Sequence, residues 1–462
     1  MYSKNKIINL LSLLLIVSSL FSCRKYLDTG SPRNELAQDR VFASDNNAQS
    51  AVAGMYASMY ATRTFQSRLR VITGHSADEF YMLQGATYSQ FRNNALATGN
   101  NIVLQTWSDM YAAIYQANAI IEGLNASTQV SSDLKKQLKG EALFMRAFCH
   151  FYLINLYGKA PLILETDIAK TALLPRTPVE AVYQQIVEDL QEAQQLLPED
   201  YGFNNDDRSR VNKWAATAML ARVYLYTGHW AEAEVQAGAV IDHTQLYTLL
   251  PDLNAVFLAN SGEAIWQFNT IGCQTNDGFS YEGYNFINGN DEPTFVLTSY
   301  LVDAFEANDQ RKVNWIKPFD AGGTIYYYPF KYKLSATPTG GTPEYQMVLR
   351  LAEQYLIRAE ARAQQSNLSG AEEDVDAIRH RAGLNGTTAN DQASMLLAIE
   401  KERRVELFLE HGHRWFDLKR TGRADAVLGA IKPTWKSTAV LYPVPQKAIS
   451  ANPNLLPNNN GY

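Results

Sequence analysis

The stretch TAMLARVYLYTGHWAEAEVQAGAVI, residues 217–241, sets the tightest limit on what this chain can become. Leu220, Ala221 and Tyr224 fall on one helical face, Gly228 interrupts the pattern, and Trp230 and Ala233 restart it. Such a pattern predicts two short helices joined by a tight turn. Ala221 and Ala233 are small enough to let the helices approach closely, and Gly228 tolerates the left-handed backbone of the turn. A looser copy, YLIRAEARAQQSNLSGAEEDVDAIRHRAGL at 355–384, keeps the twelve-residue offset in Ala359 and Ala371, and Gly383 closes it as a helix C-cap.

These spacings are those of a tetratricopeptide repeat, a unit that buries its apolar face only by stacking on neighbours. Apolar residues recurring at three and four predict further helices over 46–61, 105–124, 132–157, 178–196 and 393–420. The segment EALFMRAFCHFYLINLY, residues 141–157, is apolar nearly all round and predicts burial on several sides. The expected class is therefore mostly α, a tetratricopeptide-like scaffold of helical pairs. Two stretches depart from it, about 62–104 and 260–345. The second contains NDGFSYEGYNFINGNDEP and FDAGGTIYYYPFKYKLSATPTGGTPEY, which carry turn and short-strand signals. Long irregular excursions from a rigid scaffold commonly carry function.

The N-terminus has a separate purpose. Lys4 and Lys6 precede an apolar run from Ile7 to Phe21, fifteen residues long. A spanning helix needs about 20, so residues 1–22 are expected to form a cleaved signal peptide. The junction LFSC resembles a bacterial lipoprotein box, which implies thioether lipidation of Cys23 and a membrane anchor without a spanning helix. Beyond Cys23 only Cys149 and Cys273 remain, too few for a disulfide framework in an exported protein, and Cys149 in RAFCHFYL is expected as a small buried hydrophobe. A net charge of -6 and a pI near 5.7 exclude a nucleic-acid surface, which needs clustered cations.

Six segments, in order, then resemble one family. They are CRKYLD at 23–28, WSDMYAAIYQANAII at 107–121, LKGEALFMRAFCHFYLINLYGKAPL at 138–162, VYQQIVEDLQEAQQLLP at 182–198, RAGL at 381–384 and IEKERRVELFLEHGHRWFDLKRTG at 399–422. With the terminal LYPVPQKAISANPNLLPNNNGY, residues 23–462 resemble the SusD/RagB nutrient-binding lipoproteins. The resemblance implies a lipid-anchored, surface-exposed outer-membrane protein. It also implies a SusC-like TonB-dependent transporter as partner, a glycan or in some members a peptide as ligand, and no cofactor or catalysis.

ERRVELFLEHGHRWFDLKR gathers Glu402, Glu406, Glu410, His411, His413 and Asp417. On one helix Glu410 and Asp417 would lie about 10.5 Å apart along the axis. That exceeds the roughly 5–9.5 Å between glycosidase carboxylates. Glu410 also precedes Arg414 by four residues, the order of a helical ion pair. His411 and His413 do not share a helix face and have no HExxH context, so no metal is expected.

A binding surface fits the irregular stretches better, because sugars present apolar faces that pack on aromatic rings and hydroxyls that need amide, carboxylate or guanidinium partners. Trp315 is the leading candidate, with Tyr281, Tyr284, Phe286 and the run Tyr326–Tyr328, interleaved with Asn285, Asn288 and Asp291. The earlier stretch adds Arg68, Asp78, Tyr81, Tyr88 and Asn100. Trp107, Trp214, Trp230, Trp266 and Trp415 are expected in the core. Two alternatives stay open, a helical surface glycoside hydrolase and a tetratricopeptide adaptor that binds only protein.

Overall fold

A computed structural model describes residues 38–272, 277–287 and 292–462. Cys23, Cys273, Asn288 and Asp291 lie outside the described residues. The principal helices before the long excursion are α1 (Asp45–Ala61), α2 (Leu69–Ser76), α3 (Asn101–Ala126), α4 (Ser132–Tyr157), α5 (Val179–Leu196), α6 (Lys213–Thr227) and α7 (Trp230–Ile241). After it come α8 (Leu351–Gln364), α9 (Leu368–Arg381), α10 (Gln392–Glu406) and α11 (His413–Arg420).

Local signals set where these helices start and stop. The side chains of Ser44, Asn100, Asn212 and Asp391 accept first-turn N–H bonds of α1, α3, α6 and α10, each such cap contributing about 1 kcal/mol. Gly228 has φ 74°, and the His229 N–H reaches back to the Tyr224 carbonyl, so the α6–α7 turn is a left-handed cap of the kind glycine favours. Gly383 repeats the device after α9, with φ 75° and a Leu384 N–H bond to the Arg379 carbonyl.

Each helix then packs on its neighbour, α3 on α4, α4 on α5, α5 on α6, α6 on α7, α7 on α8 and α8 on α9. Ala221, Ala233, Ala359 and Ala371 have no exposed surface, as close helix approach requires. The fold is mostly α and tetratricopeptide-like. Because α7 packs on α8, the chain between them leaves the scaffold and returns to the point of departure. Strands β2 (Ala264–Phe268) and β6 (Gln346–Arg350), paired antiparallel, tie the two ends of that excursion together. Trp266 of β2 sits edge-on to Phe144 and Phe148 of α4, anchoring the tie in the helical core.

Three sequence expectations need correction. Residues 64–76 are helical: a π-turn, Thr64–Arg68, runs into α2, because Phe65, Leu69 and Ile72 form an apolar stripe buried in the main core. Residues 393–420 are two helices, since Leu409, His411 and Gly412 all take positive φ. Buried cations stabilise that break: Lys331 donates to the Glu406 and Phe408 carbonyls and Arg350 to that of Glu406, meeting acceptors that a helix end leaves open. Trp107, Trp266 and Trp415 are core residues, but Trp214 and Trp230 are only half-buried at its edge.

The excursion has a core of its own. Phe257, Phe286, Phe295, Phe305, Trp315 and Phe408 are among its buried members, and β4 (Ile316–Ala321) and β5 (Thr324–Pro329) form a hairpin against it.

Candidate functional site

The two irregular stretches meet. Strand β1 (Phe80–Met82) pairs antiparallel with β3 (Phe295–Leu297), and side chains alternate, so Phe80 points into the excursion core while Tyr81 points away. Beneath them Phe80, Phe286, Phe295 and His75 pack edge to face at centroid distances of 4.7–5.8 Å. Burial holds the His75 imidazole down to about 3, so it joins this cluster as a neutral ring. This apolar floor fixes the tyrosine-bearing loops to one another.

Two groups of accessible aromatics result. In the first, Tyr281 and the 54 % exposed Tyr284 lie 6.0 Å apart on the short helix Tyr281–Phe286, whose N-cap is Ser280. Tyr88 is half-buried against His75; burial pushes its hydroxyl up, opposed by nearby Arg68 and Arg63, and Tyr281 is close enough to act on it too. Arg68 sits at the end of the π-turn, donating to Asp109 Oδ2 at 3.0 Å and Gln105 Oε1 at 2.9 Å. Thr64 donates to the same Asp109 oxygen at 2.6 Å. In the second group, the Arg92 guanidinium lies 4.1 Å from the centroid of the Tyr81 ring. Burial raises the Tyr81 hydroxyl, as does the neighbouring Tyr326 of β5, while Arg92 opposes them.

Other expected site residues are structural. Trp315 has no exposed surface; its Nε1 donates to the Leu253 carbonyl at 2.9 Å, and Phe257 and Phe408 pack on its ring. It holds the excursion core together and offers a ligand nothing to stack on. Asp78 is also buried, bonded to Arg414 Nε at 3.0 Å and Arg404 Nη2 at 2.5 Å; burial raises its carboxyl, but the two guanidinium groups outweigh that and hold it low. Phe286 is core, Asn285 bonds the Tyr281 carbonyl, and Asn100 caps α3. Conversely, Asp109, Gln105, Arg63 and Arg92 were missed. Asp109 and Gln105 lie on α3, four residues apart and flanking its buried Val103, Trp107 and Met110, and that spacing was the available signal.

The carboxylate-rich segment is an ion-pair network. Glu406 accepts from Arg350 at 2.6 Å, Arg311 at 3.0 Å and Arg381, while Glu410 accepts from Arg350 at 2.7 Å and Lys331 at 2.5 Å. Arg414 therefore does not pair with Glu410; it pairs with Asp78 and Glu400. Burial alone would raise Glu406, Glu410 and Asp417, yet their arginine partners hold all three low, which makes them poor proton donors. Burial does push Glu402 up, but its oxygens meet Arg311 and Arg379. Among the described residues no group of His, Cys, Asp and Glu has the arrangement of a metal site, and no helix is long and apolar enough to cross a membrane.

A family model described as starch-binding, associating with outer membrane, matches residues 25–225, and a SusD family model matches residues 317–462. SusD-like protein P25 of Formosa agariphila is 25% identical, spanning 99% of this chain and 100% of that protein. SusD-like protein P2 of the same organism is 27% identical over 94% and 95% of the two chains. A SusD superfamily structure from Bacteroides vulgatus superposes with a TM-score of 0.79 at 21% identity, covering 91% of this chain and 100% of its own. A structure described as a laminarin binding SusD-like protein gives a TM-score of 0.75 at 23% identity, covering 91% and 100%. At that identity these structures speak to fold.

Proposed function

The chain belongs to the SusD/RagB family, and from that premise we propose that it is a lipid-anchored outer-membrane protein that binds a glycan without transforming it and passes it to a SusC-like TonB-dependent transporter. The observation that carries glycan binding is the convergence of Tyr88, Tyr281 and Tyr284 beside the Arg68–Asp109–Gln105 set, rings next to fixed donors and acceptors. The family model described as starch-binding, which matches residues 25–225, supports it from the side of similarity. The absence of turnover is supported by the arginine-locked carboxylates, which lack a group free to give up a proton.

Titration calorimetry of the full chain in detergent against a polysaccharide panel tests this reading. Tyr284→Ala should weaken binding by about 1–3 kcal/mol, the scale of one stacking contact at a binding hot spot. Its melting temperature should hardly move, because the ring is exposed. Unchanged affinity in Tyr284→Ala and Tyr88→Ala alike would move the site elsewhere, and new reducing ends on incubation would restore the hydrolase alternative. Anchoring has its own test: Cys23→Ala should abolish palmitate labelling and release the chain from the membrane fraction. Labelling that persists in the variant rules the anchor out.

A further inference from the structure

Arginine use in this protein is uneven. Most guanidinium groups among the described residues meet a carboxylate, as at Arg146, Arg222 and Arg311, or backbone carbonyls, as at Arg208. The guanidinium groups of Arg40, Arg63 and Arg92 have neither an ion pair nor a hydrogen bond among those residues. Carboxylates outnumber Lys and Arg by 47 to 41, so a shortage of acceptors does not explain these three. Two of them stand beside the candidate tyrosines, Arg63 by Tyr88 and Arg92 by Tyr81.

Arg92 is placed for recognition. Its Cζ lies over the Tyr81 ring and its N–H groups have no partner among the described residues, and a planar fork of such donors suits an anion with two oxygens. Arg92 also lines a cavity of about 280 Å³ with Asn93, Thr298, Tyr300 and Lys432. The other charged groups there are committed: Asp78 to Arg404 and Arg414, and the Lys432 ammonium to the carbonyls of His75 and Ser76 and to Asn94 Oδ1. Among the described residues the cavity lining therefore presents one uncommitted cation, Arg92, and no uncommitted carboxylate.

We propose that the ligand is an anionic glycan whose carboxylate or sulfate group is held by Arg92 at the mouth of this cavity, with the sugar chain along the neighbouring tyrosines. The proposal rests on the glycan-binding reading above. A neutral sugar would have to desolvate the guanidinium for hydroxyl contacts alone, whereas a carboxylate or sulfate supplies an opposite charge and two acceptor oxygens that match the fork of the guanidinium.

The test is titration of the full chain in detergent with alginate and polygalacturonate for carboxylate, carrageenan for sulfate, and laminarin and xylan as neutral probes. At least one anionic probe should bind, more weakly as salt rises, and Arg92→Gln should weaken it about tenfold or more. Arg92→Lys, which keeps charge but loses the planar edge, should fall between. Whether alginate and polygalacturonate or carrageenan responds separates carboxylate from sulfate. Neutral probes bound tightly, with loss in Tyr284→Ala but none in Arg92→Gln, would overturn the anionic class and leave glycan binding standing. No binding by any probe would overturn both. Melting temperatures of the variants, expected to match the unmutated chain, show that a loss is not unfolding.

Discussion

Glu406→Gln is expected to destabilise the protein by about 3–5 kcal/mol, the scale of removing one member of a buried charge pair. Glu406 has no exposed surface and faces Arg311, Arg350 and Arg381. Neutralising it leaves three guanidinium groups out of water with fewer acceptors, and that uncompensated charge makes the loss larger than the pair is worth intact. Chemical denaturation measures it. The exposed Lys401–Glu306 pair provides the contrast, since Lys401→Ala should cost under about 1 kcal/mol. Because the network joins the excursion, through Arg311 and Arg350, to α10, amide exchange in Glu406→Gln should rise first across 295–350. The pH dependence has a definite sign. The folded value of Glu406 lies well below its ordinary 4.5, so the unfolded chain takes up this proton first as pH falls. Its contribution is complete above 4.5 and lost below it, and the variant should lack that part of the acid sensitivity. A loss under about 1 kcal/mol would contradict the network's structural role.

Trp315→Ala is expected to cost a further large amount, about 3–5 kcal/mol, by emptying a buried aromatic site that cannot fully collapse. The side chain is enclosed by Phe257 and Phe408, its Nε1 bonds the Leu253 carbonyl, and the Lys331 ammonium lies 4.8 Å from the ring centroid. The loss should appear as a lower melting temperature. Measured where the variant is still folded, glycan affinity should stay within about twofold, unlike that of Tyr284→Ala. A variant that melts normally and no longer binds would return Trp315 to the site.

Much of the scaffold was legible in the chain. The Ala221–Ala233 and Ala359–Ala371 offsets, Gly228, Gly383 and the apolar run of α4 specify helix pairs through contacts only a few residues apart, and such short-range rules hold wherever the segment is placed. The aromatic wealth of the two irregular stretches was legible too. Which aromatics face solvent was not. Trp315 and Tyr284 lie in one stretch of similar composition, yet one is fully buried and the other 54 % exposed. That difference depends on β1 pairing with β3 across more than two hundred residues, on Leu253 and Phe408 closing over the indole, and on the direction in which each short strand turns its alternate side chains. The partners of Glu406 and Glu410 were equally out of reach, because a buried charge is paired by whichever element the fold brings against it. Local sequence determined the helices; long-range packing decided which rings and which guanidinium groups were left free to meet a ligand, since burial is a property of neighbours that a linear pattern does not name.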